Sequence, residues 1–378
     1  MTAPLVVFGE DWGSHPSSTQ HLVRELLAAR PVLWVNSIGL RRPRLTAHDL
    51  RRAASKVVAA ARPPARECPS GDAGEPAPRV LRPLAVPFPG NPLARAANRR
   101  LLGRTLRGAL HEAGIERPIL WLSLPTAVDA IGTVGERAVV YYCGDDFGSL
   151  VGVDHGPVSR LEAELAARAD LILAASPALR DKFPAGKTVL VPHGVDAARF
   201  GAPASRPADL PLGRVAGFYG SLSDWIDIEL LTRVARALPD WRLFLIGPVR
   251  TELGELPSLP NVTLAGPRPH AELAGYAQHW TVSLLPFRDT PQIRACNPLK
   301  LREYLAAGTP IVATPFPALE DYRDLIGIAR TPDEFVVAIR GAGEEGRSRG
   351  EERRARVAGE TWAARARQVA ELLADLER

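Results

Sequence analysis

Short apolar runs of four or five residues recur along this chain, and a helical pattern follows most of them. The first two runs are residues 4–8 (PLVVF) and 31–35 (PVLWV), with the helical stretch HLVRELLAAR between them. Fully apolar runs of this length are typical of strands buried on both faces, and a strand–helix–strand unit requires a parallel sheet. The sequence therefore predicts an α/β protein built on doubly wound parallel sheets.

The strand and helix pattern forms two consecutive series, separated by a segment without periodicity. This segment follows Val191 and reads PHGVDAARFGAPASRPADLPLGR, which is rich in proline, glycine and alanine. A chain of 378 residues has room for two domains of ordinary size. We expect a first domain at 1–195, a linker at 196–212, a second domain at 213–350, and a C-terminal helix at 351–378 that packs back on the first domain.

Ligands of doubly wound sheets bind at the carboxyl ends of the strands. Two such domains placed face to face create a cleft, so we expect the functional site there. The loops that follow the strands are its predicted walls.

Positive charge is concentrated in one part of the first domain. Residues 41–107 contain 15 Lys or Arg and 4 Asp or Glu, a local net charge of +11 in a chain whose net charge is +5. A proline-rich insertion at about 62–92 interrupts this region, and a basic helix is predicted from Leu93 to Ala113. Such a region attracts anions such as phosphates and lipid headgroups, unless it is ordinary solvated surface. It lacks interleaved aromatic residues, so we expect no nucleic-acid partner.

The composition argues against several classes of protein. No apolar run reaches the roughly 18 to 20 residues of a membrane-spanning helix, and no signal-peptide pattern is present. The 3 cysteines are far apart without a CxxC pair, which argues against a zinc site or a disulfide framework. We expect a cytoplasmic protein, with peripheral contact at the inner face of the membrane if the basic surface meets anionic lipid.

The most informative segment is RACNPLKLREYLAAGTPIVAT at 294–314. Asn297 is a good helix cap, Pro298 suits the first helical position, and Gly308 suits the position just past the end. The free N–H groups of the first turn and the charge of Lys300 favour an anion. Glu303, one turn further, could accept the two hydroxyls of a ribose. The alternative is a Lys300–Glu303 surface pair, which contributes only some tenths of a kcal/mol.

The pattern Pro-Leu-Lys-x-x-Glu-Tyr-x-Ala-x-Gly-x-Pro-x-Val in this segment resembles the nucleotide-sugar site of retaining GT-B glycosyltransferases of the family-4 type. The resemblance extends to GFYGSLSDWID at 217–227 and LIGPV at 245–249. It implies a GT-B architecture of two Rossmann-like domains. It also implies roles for individual residues: Glu303 holds the donor ribose, and Leu299 and Lys300 hold the diphosphate. The residues that would lie against the base and the phosphates are Gly247, Pro248, Arg268, Gly220 and Ser221.

This sequence departs from the family pattern at three positions. Ala295 stands where the family has the first of two glutamates, and Ser221 and Ile226 stand where it commonly has Arg and Lys. Neutralisation of the diphosphate would then rest on Lys300, the helix start, and Arg288 or Arg294.

Two polar clusters of the first domain follow strands. Asp145 and Asp146 lie in YYCGDDFG, where a metal site, a role in lining the site, and ordinary turn chemistry are all open. The loop after the first strand offers Trp12, Gly13, His15 and Ser18 for contacts with the acceptor. The alternative there is that Ser17, Ser18 or Thr19 caps the following helix. The candidate catalytic groups are Lys300, Asp145, Asp146 and His15.

The resemblance implies an enzyme of polysaccharide biosynthesis that transfers a sugar from a nucleoside-diphosphate sugar to an acceptor, with retention at the anomeric carbon. The acceptor could be a glycan, a lipid-linked sugar, a small molecule or an anionic compound. The nucleotide sugar is a co-substrate, and we expect no cofactor and no essential metal. A sugar-nucleotide epimerase of the same fold and a non-catalytic sugar-nucleotide or polysaccharide-binding protein remain as alternatives.

Overall fold

The computed structural model describes residues 2–14, 17–37, 77–86, 88 and 90–378. It divides into two compact units, one of residues 1–192 with 365–378 and one of residues 193–364. His15, the basic stretch at 40–62 and the first part of the proline-rich insertion lie outside the described residues.

The first unit is built on a parallel sheet whose described strands lie in the order β3-β2-β1-β4-β5-β6-β7. The strands are β1 (Leu5–Phe8), β2 (Val32–Val35), β3 (Arg79–Leu81), β4 (Ile119–Leu122), β5 (Ala138–Cys143), β6 (Leu171–Ala174) and β7 (Thr188–Leu190). The strands β1, β2, β4, β5 and β6 are buried along their whole length, which explains their unbroken apolar sequences. The strand order reverses between β1 and β4, and this switch point is where such sheets bind ligands.

Before residue 192 the described part of the first unit contains the α-helices α1 (Ser18–Leu26), α2 (Pro92–Ala113), α3 (His155–Arg168) and α4 (Pro177–Arg180). Helix α1 is capped by Ser17, whose hydroxyl accepts a hydrogen bond from the amide of Gln20. Helix α2 is capped by Asn91 and ends at Gly114 in the left-handed conformation (φ 63°). Both ends follow the general residue preferences of helix caps.

The edge strand β3 was not expected, because it lies inside the proline-rich insertion. Arg79, Val80 and Leu81 pair with Leu33, Trp34 and Val35 of β2. A strand of three residues fits between prolines at a sheet edge, where one side needs no backbone N–H partner. The insertion therefore extends the sheet.

The second unit repeats the same parallel arrangement, in the order β10-β9-β8-β11-β12-β13. Its strands are β8 (Val215–Tyr219), β9 (Arg242–Ile246), β10 (Val262–Gly266), β11 (Val282–Leu285), β12 (Ile311–Ala313) and β13 (Ile326–Ile328). Its helices are α5 (Ala197–Gly201), α6 (Ile228–Ala237), α7 (Leu273–His279), α8 (Pro291–Ala295), α9 (Leu299–Ala307), α10 (Pro332–Glu345) and α11 (Gly350–Val357). The predicted α/β class with two doubly wound parallel sheets is confirmed.

The stretch predicted as a linker, 196–212, is packed within the second unit. Phe200 is fully buried. The Gln278 side chain donates hydrogen bonds to the carbonyls of Phe200 and Ala202, both at 2.7 Å, and accepts one from the amide of Ala204 at 3.0 Å. The sequence shows little periodicity here because the only helix in the stretch is the five-residue α5, and the Gln278 side chain satisfies backbone groups at its end and beyond it.

The tail predicted as one helix at 351–378 contains two, since α11 ends at Val357 and α12 spans Trp362–Glu377. Residues 365–378 belong to the first unit. There the Glu377 carboxylate accepts hydrogen bonds from the amide of Ala3 at 3.1 Å and from the buried Arg30 guanidinium at 2.8 Å. Among the described residues, no helix is both long and apolar enough to cross a bilayer.

Candidate functional site

Helix α9 presents an open N-terminus at the carboxyl end of the second sheet. Pro298, the residue before it, has an extended backbone (φ −71°, ψ 126°), and no side chain caps the first turn. The amide groups of Leu299 and Lys300 are therefore available to a ligand, and the helix dipole favours a negatively charged one. The helix ends at Gly308 in the left-handed conformation (φ 76°), as its sequence predicts.

Asn297 does not cap this helix, contrary to the sequence prediction. Its carboxamide oxygen accepts a hydrogen bond from the buried Arg302 guanidinium, which also contacts Glu360 at 2.6 Å. Its carbonyl oxygen lies 2.6 Å from Nδ1 of His193. Asn297 is buried and fixes the loop before the helix, because both of its oxygens have partners within the second unit.

Lys300 packs directly over Gly220 at the end of β8. A Cβ atom on Gly220 would lie 2.2 Å from the Lys300 Cε atom, so this approach requires a glycine. The ammonium group lies 5.8 Å from the centre of the Phe218 ring and makes no hydrogen bond to any described residue. Burial lowers the pKa of Lys300, opposed by the charge of Glu303. A ligand with a negative charge would supply the missing partner.

A second close approach joins the loops after β8 and β9. Gly247 (φ 140°) lies against Gly220 (φ 138°), and a Cβ on Gly247 would be 2.0 Å from the Gly220 carbonyl oxygen. The Leu222 amide donates to the Pro248 carbonyl at 3.0 Å, which ties the two loops together. The Ser221 hydroxyl is 2.7 Å from that of Ser223. Backbone groups thus form the surface beside Lys300.

Glu303 is buried one turn inside α9 and held by two residues that the sequence did not single out. Its Oε2 atom accepts a hydrogen bond from the Tyr219 hydroxyl at 2.6 Å, and its Oε1 atom lies 2.8 Å from Nε2 of His270. Burial alone would raise the pKa of Glu303. The contacts with His270 and Tyr219, with the charge of Lys300, outweigh burial and hold its pKa below the usual range. The carboxylate is therefore ionised, and each oxygen has one protein partner and a further lone pair.

In the first unit, the loop after β1 is more buried than its sequence indicates. The Trp12 side chain packs on Trp34 with ring centres 4.8 Å apart, and the Arg24 guanidinium lies over it. Ser18 is buried in the first turn of α1. Both side chains are therefore largely buried within the first unit, and their contacts with the acceptor remain predictions. Gly13 is exposed, and its amide donates to the Gln20 side chain at 3.1 Å.

Asp145 and Asp146, although adjacent, have different surroundings. Asp146 accepts hydrogen bonds from Lys182 Nζ and from the Ser149 hydroxyl, both at 2.6 Å. These contacts outweigh its partial burial and lower the pKa of Asp146. Asp145 is exposed, and its carboxylate has no hydrogen-bond partner among the described residues. Loss of hydration in this crowded loop and the nearby Glu10 and Asp146 charges raise the pKa of Asp145 to about 6.

Comparison with known proteins identifies the second unit. Residues 213–344 match the family model for group 1 glycosyl transferases, so they include the open helix, the paired glycines and Glu303. This segment is a group 1 glycosyl transferase domain. The chain is also 30% identical over 225 residues to a Bacillus subtilis protein that carries the provisional name teichuronic acid biosynthesis glycosyltransferase TuaH. That alignment spans 54% of this chain and 57% of TuaH.

Solved structures establish the fold over the whole chain. A sucrose-phosphate synthase of Thermosynechococcus elongatus has a TM-score of 0.71 at 18% identity and covers 99% of both chains. Anabaena HepE in complex with UDP has a TM-score of 0.68 at 15% identity, with 99% of this chain and 100% of that chain covered. The GT-B fold expected from the resemblance is confirmed.

The departures of this glycosyl transferase domain from its family pattern have structural counterparts. Ile226 is fully buried, and its backbone pairs with Phe287, so a charged lysine would be unfavourable there. Ala295 is buried as well. Arg288 is exposed, and its guanidinium has no hydrogen-bond partner among the described residues. Lys300 and Arg288, two of the side chains predicted to neutralise the diphosphate, therefore have no hydrogen-bond partner among the described residues.

The other two predicted arginines of the domain are engaged by carboxylates. Arg268 donates to Asp209 at 2.8 Å and to the Tyr276 hydroxyl at 3.2 Å. Arg294 is exposed and binds both oxygens of Asp289, at 2.6 and 2.7 Å. The pairing of Arg268 was not apparent in the sequence, because Asp209 lies 59 residues away along the chain. Their roles at the base and the diphosphate remain predictions.

Replacing Gly247 by Ala should destabilise the domain by about 2 to 4 kcal/mol, because the new Cβ would overlap the Gly220 carbonyl at a backbone conformation that favours glycine. Chemical denaturation measures this loss. The matched control is Gly359→Ala, since a Cβ on Gly359 meets no atom within 4 Å. Equal stability of both variants would show that the two loops do not need this close approach.

Proposed function

We propose that this chain transfers a sugar from a nucleoside-diphosphate sugar to an acceptor, with retention at the anomeric carbon. The observation that carries the proposal is the unpartnered Lys300 ammonium, which lies at the open start of α9 against Gly220. Glu303, an ionised carboxylate with free lone pairs, follows one turn later. A diphosphate and a ribose diol, joined in one molecule, match this pair of groups.

The proposed donor is a uridine diphosphate sugar. The support comes from proteins of the same fold: HepE was solved with UDP and with UDP-glucose, and an Escherichia coli trehalose-6-phosphate protein was solved with UDP-2-fluoro glucose. We propose polysaccharide biosynthesis as the setting, since the TuaH name concerns teichuronic acid.

In the transfer step, negative charge develops on the diphosphate as it leaves the sugar. Groups placed in advance around that charge stabilise the transition state more than the bound substrate. We assign this stabilisation to Lys300 and the amides of Leu299 and Lys300. In this proposal the protein's own positive charges neutralise the leaving group, and no metal ion takes part.

The test combines binding and turnover of the full chain. Calorimetry should show binding of UDP, and a transfer assay with UDP-glucose and glycan fragments should give product whose anomeric configuration, read by proton NMR, matches the donor. Addition of EDTA should leave the rate unchanged. Donor consumed with no acceptor and converted to an isomer would identify an epimerase. UDP binding without any turnover would identify a binding protein.

We further propose that the first unit contacts an anionic membrane surface, where a lipid-linked acceptor would reside. Leu84, Phe88 and Leu93 are 51%, 45% and 82% exposed beside the start of α2. An open pocket of about 490 Å³ lies next to them, with Arg99 and Arg160 in its wall. Neither arginine forms an ion pair with a carboxylate of a described residue, although the charge of Arg99 acts on Asp129 in the same wall. Exposed apolar side chains can contact the acyl chains of a lipid, and arginines that form no ion pair can bind its anionic headgroup.

The full chain should therefore sediment with vesicles that contain phosphatidylglycerol, and the bound fraction should fall at high salt. Changing Arg99 and Arg100 to Glu should weaken this binding by more than about tenfold, since each basic residue near such a surface contributes about 1 kcal/mol. The control variant changes Arg330 and Arg340, which are exposed in the second unit. Equal binding to neutral vesicles, or no effect of Arg99 and Arg100, would contradict the membrane proposal.

A further inference from the structure

Helix α9 begins one residue later than its sequence favours. Asn297 followed by Pro298 is a preferred pair for the cap and the first position of a helix. With that start, the side-chain oxygen of Asn297 would accept hydrogen bonds from the amides of Leu299 and Lys300, the second and third helical residues. In the structure the helix begins at Leu299, Pro298 has an extended ψ of 126°, and these two amides have no partner among the described residues. Contacts from outside the helix therefore override the local preference.

Both groups that Asn297 would use as a cap are engaged elsewhere. A capping residue offers its side-chain oxygen to the amides of the first turn and its carbonyl to the first helical hydrogen bond. The side-chain oxygen of Asn297 accepts a hydrogen bond from the Arg302 guanidinium, and its carbonyl accepts one from Nδ1 of His193 at 2.6 Å. The Leu301 amide donates to the Pro298 carbonyl at 3.3 Å instead. A guanidinium has no acceptor, so the Asn297 atom that faces it must be the oxygen.

The Arg302 side chain is itself fixed, so it cannot follow a movement of Asn297. It is buried, and its Nε atom donates to the Glu360 carboxylate at 2.6 Å. The Tyr322 hydroxyl lies 2.7 and 2.9 Å from the two oxygens of the same carboxylate. The Tyr322 ring centre lies 5.8 Å from the Arg302 guanidinium carbon. Glu360 and Tyr322 therefore hold the guanidinium that holds Asn297.

Arg302 projects from a different side of α9 than the groups assigned to the donor. At about 100° per residue, it lies about 200° around the helix from Lys300 and about 100° from Glu303. It therefore acts on a ligand through Asn297, as a positioning residue. A buried ion pair gains little net stability over apolar residues of the same size, so stability alone gives no reason for the Arg302–Glu360 pair.

We propose that Arg302 keeps the diphosphate site open by holding the side-chain oxygen of Asn297 away from the amides of Leu299 and Lys300. Without Arg302, Asn297 caps the helix and competes with the donor for those amides. The change requires mainly a rotation of ψ at Pro298, because its φ of −71° already suits a helix. This inference rests on the proposed transferase function, since it names the residue that prepares the donor site.

The experiment measures UDP binding by calorimetry in full chains that carry Arg302→Met, Asn297→Ala or both changes. Arg302→Met should weaken UDP binding about three- to thirtyfold, the factor that corresponds to one N-cap side chain. Adding Asn297→Ala should restore the affinity to within about threefold of that of Asn297→Ala alone, because alanine cannot cap. Unchanged UDP affinity in Arg302→Met, or a double variant that binds no better than Arg302→Met, would overturn the proposal. A merely structural role of Arg302 predicts the second of these results.

Exchange of amide hydrogens with water, measured by NMR without a ligand, reports the state of the helix start directly. In the unmodified chain the amides of Leu299 and Lys300 should exchange rapidly, because they have no acceptor. Arg302→Met should slow the exchange of at least one of them by about three- to thirtyfold, and Asn297→Ala in addition should reverse the change. Equal exchange rates of both amides in the unmodified chain and in Arg302→Met would contradict the capping step.

Two controls separate this inference from misfolding and from the proposed function. Arg30→Met removes a buried arginine of the first unit that pairs with a carboxylate at 2.8 Å, and it should leave UDP affinity unchanged. If Arg302→Met does not fold, Arg302→Lys replaces it, because one ammonium lacks the fork that bonds Asn297 and Glu360 together. The same rescue by Asn297→Ala is then expected. Absence of UDP binding in the unmodified chain would reject the proposed function, whereas UDP binding that is insensitive to Arg302 would reject this inference alone.

Discussion

Replacing Lys300 by Met is expected to lower kcat for sugar transfer by about 100- to 1,000-fold, the loss typical when one group that stabilises a developing anion is removed. Met keeps an unbranched side chain over Gly220 and Phe218 but lacks the charge. UDP affinity should fall far less, because the ammonium contributes most when the leaving diphosphate gains charge.

Initial rates and UDP calorimetry on the same preparations test this expectation. Lys300→Arg, which retains the charge, should recover part of the rate. Equal proportional losses in UDP affinity and in kcat would show that Lys300 binds ground state and transition state alike.

Replacing Glu303 by Ala is expected to weaken UDP binding by about 10- to 100-fold, since hydrogen bonds to a charged group contribute about 1.5 to 3 kcal/mol. The assigned partner of the carboxylate is the ribose diol, so a double-mutant cycle isolates the contact. In the unmodified protein, 2′-deoxy-UDP should bind more weakly than UDP. In Glu303→Ala the two nucleotides should bind equally.

If Glu303→Ala still binds UDP more tightly than 2′-deoxy-UDP, Glu303 does not contact the ribose. Tyr219→Phe and His270→Ala should have smaller effects, because each removes one of the contacts that hold the carboxylate. The exposed Glu320 provides the control, as Glu320→Gln. The lowered pKa of Glu303 also predicts that its contribution to stability is present above the ordinary pKa of a glutamate and is lost only as the pH falls through the lower folded value.

The parts of the fold that follow from sequence are those whose signal is local. Buried parallel strands give unbroken apolar runs, so Ile119–Leu122, Leu171–Ala174 and Val215–Tyr219 could be placed to the residue. The edge strand Arg79–Leu81 gave no such signal, because one side of an edge strand needs no partner and its residues are only partly buried. The break at 358–361 in the C-terminal helical region was also missed, since Val195 pairs there with Thr361, a contact distant in sequence.

The candidate site also contains some residues that the sequence predicts and others that it does not. The open helix with Lys300 and Glu303 could be read from caps and spacing, because its residues are three apart on one element. Tyr219 and His270 reach Glu303 from 84 and 33 residues away, so no local pattern reports them. The burial of Trp12 depends on Trp34 of the neighbouring strand.

The return of residues 365–378 to the first unit has a consequence for the order in which the protein is made. Arg30 and Glu377, whose ion pair is buried on the arginine side, are 347 residues apart. At about 5 to 20 residues per second, the ribosome needs roughly 17 to 70 s to produce the second partner after the first. During that interval the nascent first unit lacks its last helical segment, while the whole second unit emerges and can fold. Synthesis of the first unit therefore begins before that of the second unit and is completed after it.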